Sequence, residues 1–147
     1  MGFSGAFVVR LAILLLVSLS LTGCPRTAPV YEVKDRSMPE ASRSRGLDEI
    51  GTRIMTAGKR IGWSMNLREP GIILGRLEWH GRHTADVAIR YDRRKYSIEY
   101  ESSARLLAGT AAPDEAYAGE KVIHKRYNRY VRRLEKYIDV ELAKTGI

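Results

Sequence analysis

The sequence predicts an α+β domain in which an N-terminal helix, a four-stranded antiparallel meander and a C-terminal helix follow one another (αββββα). Three observations predict it. Apolar residues recur at three- and four-residue steps near residue 50, alternate singly between 63 and 101, and return to helical spacing after 120. Short turn sequences separate the alternating runs, which is the pattern of a meander. Both helices are amphipathic, so each has an apolar stripe to lay on the apolar face of the sheet in a two-layer arrangement.

The first helix rests on Leu47, Ile50, Ile54, Ala57 and Ile61. Ser44 or the Gly46-Leu47-Asp48 stretch can start it, Asp48 and Glu49 suit its positive end, and Gly62 ends it. The period then changes to two. Trp63, Met65 and Leu67 alternate with Ser64, Asn66 and Arg68 in the first strand. Pro70-Gly71 reads as a type II turn, because Pro fixes φ and Gly accepts positive φ. The second strand carries Ile73, Leu77 and Trp79 on one face, and His80-Gly81-Arg82-His83 turns the chain. The third presents Ala85, Val87, Ile89 and Tyr91; after Asp92-Arg93-Arg94-Lys95, the fourth presents Tyr96, Ile98 and Tyr100. Residues 104–119, rich in Ala and Gly, read as a long surface loop.

The second helix is expected from about 120 to 144. On a helical wheel with Lys121 at zero, Ile123, Tyr127, Tyr130, Val131, Leu134, Tyr137, Ile138 and Leu142 fall between about 160° and 300°. Lys121, Lys125, Arg126, Arg129, Arg132, Arg133 and Lys136 fall between about 0° and 140°. One face is core and the other a basic strip; Val122 and Glu141 are the two exceptions.

The chain has 147 residues, enough for one domain, and a formal charge of +8. Residues 1–23 contribute only Arg10, so residues 24–147 keep 8 − 1 = +7. A basic surface points to acidic partners such as anionic lipid, glycolipid or an acidic envelope component. The single cysteine excludes an internal disulfide.

Arg10 precedes an apolar run ending at Leu21, too short for a comfortable membrane span, and Leu21-Thr22-Gly23-Cys24 follows. These four residues resemble the lipobox of bacterial lipoproteins. The resemblance implies a signal peptide over 1–23, cleavage before Cys24, and a membrane anchor of diacylglyceryl and palmitate-like acyl chains on that residue. Pro25 stands where Asp would favour inner-membrane retention, so the outer membrane facing the periplasm is the expected location. A translation start near Val8 or Val9 would give a tidier basic segment before the apolar run. Residues 24–45, with Pro25, Pro29 and Pro39, read as a lipidated Cys and a flexible tether reaching roughly 25 Å. The domain proper is expected over 46–147.

Within the domain, residues 96–103 (Tyr-Ser-Ile-Glu-Tyr-Glu-Ser-Ser) and 123–128 (Ile-His-Lys-Arg-Tyr-Asn) are similar to small uncharacterised Gram-negative envelope lipoproteins. Trp63, Pro70-Gly71 and Arg82-His83 fit the same pattern. Tyr130 stands where Trp is expected, and the 104–119 loop is longer than usual. The resemblance implies a fold and no reaction.

His80, His83 and His124 are the only histidines and the only candidates for a metal site, with no acidic cluster beside them. The plainer reading is that His83 and His124 serve hydrogen bonds at the seam of sheet and helix. Ser97, Ser102 and Ser103 lie near acids, but no nucleophile elbow surrounds them. His124 and Asn128, one turn apart, are read as structural. The sequence therefore points to a membrane-anchored, non-enzymatic binding or accessory module without a cofactor. A basic helix docking on anionic lipid is the second reading, and a metal-binding protein or hydrolase the third. Nucleic acid is not an expected partner of an exported chain.

Overall fold

The computed structural model describes residues 26–145. The apolar run, Cys24 and the alternative start at Val8 or Val9 lie outside the described residues. These residues form a mixed α+β fold with two antiparallel sheets and three helices. In chain order the elements are β1 (Thr27–Pro29), β2 (Val33–Ser37), α1 (Glu40–Arg43), α2 (Leu47–Arg60), β3 (Ser64–Glu69), β4 (Ile72–Trp79), β5 (His83–Tyr91), β6 (Lys95–Ala104), β7 (Gly109–Thr110), β8 (Lys121–His124) and α3 (Lys125–Ala143).

The expected meander is β3 to β6, paired antiparallel throughout. Its alternation places Met65, Ile73, Leu77, Val87, Ile89, Tyr96 and Ile98 in the core. Gly71 turns β3 into β4 at φ +92°, and an added Cβ there would also meet the Tyr91 carbonyl oxygen at 3.1 Å. Leu67 departs from the expected buried face: it is exposed, on the edge strand. Helix α2 buries Ile50, Ile54 and Ala57, and α3 buries Tyr127, Val131, Leu134, Ile138 and Leu142. Each such apolar side chain contributes about 1.5–3 kcal/mol when fully buried, so the two stripes and the sheet face hold the fold.

Three expectations need correction. The sheet has five strands, in the order β2-β6-β5-β4-β3, so αββββα is too small a layout. The fifth strand comes from the segment expected to be a tether. Residues 26–45 carry β1, β2 and α1 and are bonded along the length of α3. Asn128 grips this strap with both ends of its amide, accepting from the Tyr31 amide at 3.0 Å and donating to the Pro29 carbonyl at 2.8 Å. The Tyr31 hydroxyl donates to Glu135 at 2.7 Å, and Arg36 makes a forked contact with Asp139. Buried Ser42 donates to the Leu142 carbonyl at 2.6 Å, and Arg45 joins it at 2.9 Å, satisfying a carbonyl of the last helical turn.

The third correction concerns the start of the second helix. Lys121–His124 is strand β8, the middle of a small sheet ordered β1-β8-β7, and the helix begins at Lys125. Val122 was out of place on the helical wheel because it belongs to a strand, where it is buried. The loop over 104–119 carries β7 and buries Leu106 and Ala111.

Candidate functional site

The candidate site is the solvent face of α3. Lys125, Arg126, Arg129, Arg132, Arg133 and Lys136 are all exposed along it, while Lys121 lies off the helix, in β8. Arg132 stacks its guanidinium over the Tyr31 ring, 3.7 Å from the centroid, and Arg133 lies 5.6 Å from that of Tyr137. Among the described residues, Lys121, Arg126, Arg129, Arg132, Arg133 and Lys136 make no ion pair with a carboxylate.

The acids of α3 are engaged elsewhere. Glu135 and Asp139 pair with Arg36, at 3.0 and 2.5 Å. Asp139 also accepts from the Tyr96 hydroxyl at 2.7 Å, and burial followed by that bond pushes the Tyr96 phenol well above its usual range. Glu141, the other exception on the wheel, is buried with Lys144 at 2.6 Å and Arg60 at 3.5 Å. No acid occupies the first turn of α3 and no base its last, the reverse of what the helix dipole favours. Like charges at three- and four-residue steps, such as Arg126 with Arg129 and Arg129 with Arg133, each cost about 0.2–0.5 kcal/mol. The basic face is thus kept against the local stability of its own helix.

The three histidines do not converge. His80 is exposed at the tip of the β4–β5 hairpin, with φ +52°. His83 stacks on Trp79 with ring centroids 5.7 Å apart, and Trp79 leans on Tyr130 at 4.9 Å. His124 caps α3: its Nδ1 accepts from the Arg126 amide at 3.1 Å, so this nitrogen carries no proton. Burial lowers the His124 pKa, and the neighbouring charges of Arg126, Arg26 and His83 lower it further. Among the described residues no group of three His, Cys, Asp or Glu side chains is placed to hold a metal. The serines are bonded within the framework: Ser97 to the Asp35 amide, Ser102 to Asp86 and Ser103 to the Tyr100 hydroxyl.

A groove of about 600 Å³ lies between the small sheet and the main one, lined by Val30, Glu32, Tyr100, Glu120, Lys121 and Val122 among others. Behind Tyr100, the Tyr127 ring packs edge-on at 5.6 Å, and its buried hydroxyl has no hydrogen-bond partner among the described residues.

Sequence reasoning missed the bases contributed from outside the helix. Arg26 leads into β1, whose Thr27 lies opposite His124. Arg105 follows β6 directly, and the next residue, Leu106, offers its carbonyl to the His124 amide at 2.8 Å. Arg82 sits at the hairpin tip beside His83. The only signal for Arg26 was its place two residues after Cys24. No family model, curated protein or solved structure matches the chain.

Proposed function

We propose that this chain is an exported bacterial lipoprotein, cleaved before Cys24 and held by lipid on that residue, whose domain serves as a non-enzymatic binding or accessory module of the envelope. The observation that carries this reading is the order of the chain: an apolar run, then Leu21-Thr22-Gly23-Cys24, then a fold whose first strand starts at Thr27. Pro25 after the cysteine favours the outer membrane, facing the periplasm.

The mass of the mature protein tests this reading. Loss of residues 1–23 with the added mass of a diacylglyceryl group and an acyl chain is expected; an unmodified Cys24 overturns it. Cys24→Ser should accumulate as an uncleaved, unlipidated chain.

A second reading, contact with an anionic lipid or glycolipid, is favoured by Arg126, Arg129, Arg132, Arg133 and Lys136, which pair with no carboxylate among the described residues. The metal-binding and hydrolase readings have no comparable support, given the dispersed histidines and the framework bonds of the serines.

A further inference from the structure

We infer that the end of the domain around Arg26 is its membrane-contacting surface, seated end-on against the anionic headgroups of the bilayer that holds Cys24. The inference rests on the lipid anchor proposed above and deepens it. It begins from chain length. Cys24 stands two residues before Arg26, and two residues span at most about 7 Å at full extension. Arg26 is itself pinned, because its carbonyl accepts the Lys125 amide at 3.0 Å and the next residue enters β1. A tether of about 20 residues would let the domain turn in any direction. A lead of two residues presents to the bilayer whatever surrounds Arg26.

That surroundings is basic with an apolar edge. Arg26, Arg82, Arg105, Arg126 and Arg129 are exposed there, and none pairs with a carboxylate among the described residues. Leu107 projects beside them, 59% exposed at φ +54°. Half-buried Trp79 and Tyr130 complete the rim, the kind of rings that settle at headgroup level. The opposite end of the domain mixes signs, with Lys95 on Asp35 at 2.6 Å and Arg45 on Glu49 at 2.8 Å. Helix α3 starts at the Arg26 end and leads away from it. Lys136 is therefore about 16 Å along the axis from Lys125, beyond the roughly 8 Å over which salt leaves a surface charge effective. End-on seating uses Arg105 and Arg126 and spares Lys136; a helix lying flat would use the whole strip.

The test uses the lipidated protein reconstituted in vesicles of phosphatidylglycerol and phosphatidylethanolamine. Cys24 is consumed by its lipid, so a thiol-reactive fluorophore marks only an introduced cysteine: Leu107→Cys, Arg93→Cys or Lys136→Cys in turn. Quenching by headgroup-attached nitroxide reports height above the bilayer. Strand β5 separates the two ends by about 27 Å, so quenching at 107 should exceed that at 93 by at least about threefold. Position 136 should resemble 93, and raised salt or the pair Arg105→Gln and Arg126→Gln should lower the signal at 107. Equal quenching at 107 and 93, or quenching at 136 as strong as at 107, overturns the end-on seating. The lipid mass is read on the same sample: its absence overturns the anchor, while its presence with equal quenching overturns the seating alone.

Discussion

In the C-terminal half of α3, Glu135, Asp139 and Glu141 each meet a base from another part of the chain, and Ser42 and Arg45 close the last turn. In the N-terminal half, Arg126, Arg129, Arg132 and Arg133 face solvent, and among the described residues no acid pairs with them. Both halves bury the same kind of apolar stripe, Tyr127 and Val131 in one, Leu134, Ile138 and Leu142 in the other. The difference lies wholly in charge. Helix α2 shows what the dipole rule looks like when obeyed, with Asp48 and Glu49 in its first turn and Lys59 and Arg60 in its last. The acids of the C-terminal half are paired within the fold, whereas Arg126, Arg129, Arg132 and Arg133 have no carboxylate partner among the described residues.

Breaking the wired half should have the largest effect on stability. The pair Arg36→Ala and Ser42→Ala removes the fork onto Asp139 and the cap on Leu142 together. A loss of about 2–3 kcal/mol is expected, the Arg36 share discounted for its partial exposure. Urea unfolding measures it; a loss below about 1 kcal/mol would mean that the strap merely lies on the helix.

The strap is also what the sequence concealed, and the reasons are local. Strand β2 pairs Val33 with Ile98 and Arg36 with Tyr96, so its matching positions are three residues apart, across a bulge that holds Asp35 at φ +46°. A period of two cannot be read there. Arg36 also reaches its partners through a guanidinium, which no apolar pattern reveals. The meander was legible because each turn and each alternation agreed. Strand β8 was not, since Ile123 suits a strand and a helix equally; only Val122, misplaced on the wheel, carried the warning. The basic face was legible as a pattern, whereas the lack of carboxylate partners for Arg126, Arg129, Arg132 and Arg133 among the described residues depends on Arg36 and Arg60 drawing the helix acids away.

Two substitutions in the N-terminal half should raise stability, and so sharpen the contrast. Tyr127→Phe removes a buried hydroxyl without a partner, beside the edge-on Tyr100 ring, and should gain about 1 kcal/mol. Arg129→Gln relieves like-charge contacts with Lys125, Arg126, Arg132 and Arg133. It should gain about 0.5–1 kcal/mol at low ionic strength, and the gain should fade as salt screens it. A loss of stability on Arg129→Gln would show that the strip serves the fold after all.

The smallest effect expected is a pH dependence at the boundary of the two designs, His124. Its Nδ1 accepts the Arg126 amide only when unprotonated, and burial, then Arg126, Arg26 and His83, hold its pKa below the ordinary 6.5. Above 6.5 the imidazole is neutral in both folded and unfolded chains, and the cap is intact. As the pH falls below 6.5 the unfolded chain takes the proton first, so stability is lost progressively until the folded value is passed. Asp92 does not blur this window. The backbone amides of Arg94 and Lys95 hold its carboxyl below the ordinary 3.8, so its contribution is lost only in stronger acid. Urea midpoints at about pH 7.5 and about pH 5.5 should therefore differ in the natural protein and agree more closely in His124→Asn, which keeps a capping acceptor that does not titrate. Equal slopes in the two proteins would move the pH dependence to other groups. A protonated His124 would also add one more positive charge beside Arg26 and Arg126, while the C-terminal half keeps its pairs. Acid should thus loosen the cap of α3 and strengthen the field of the end that carries its uncompensated bases.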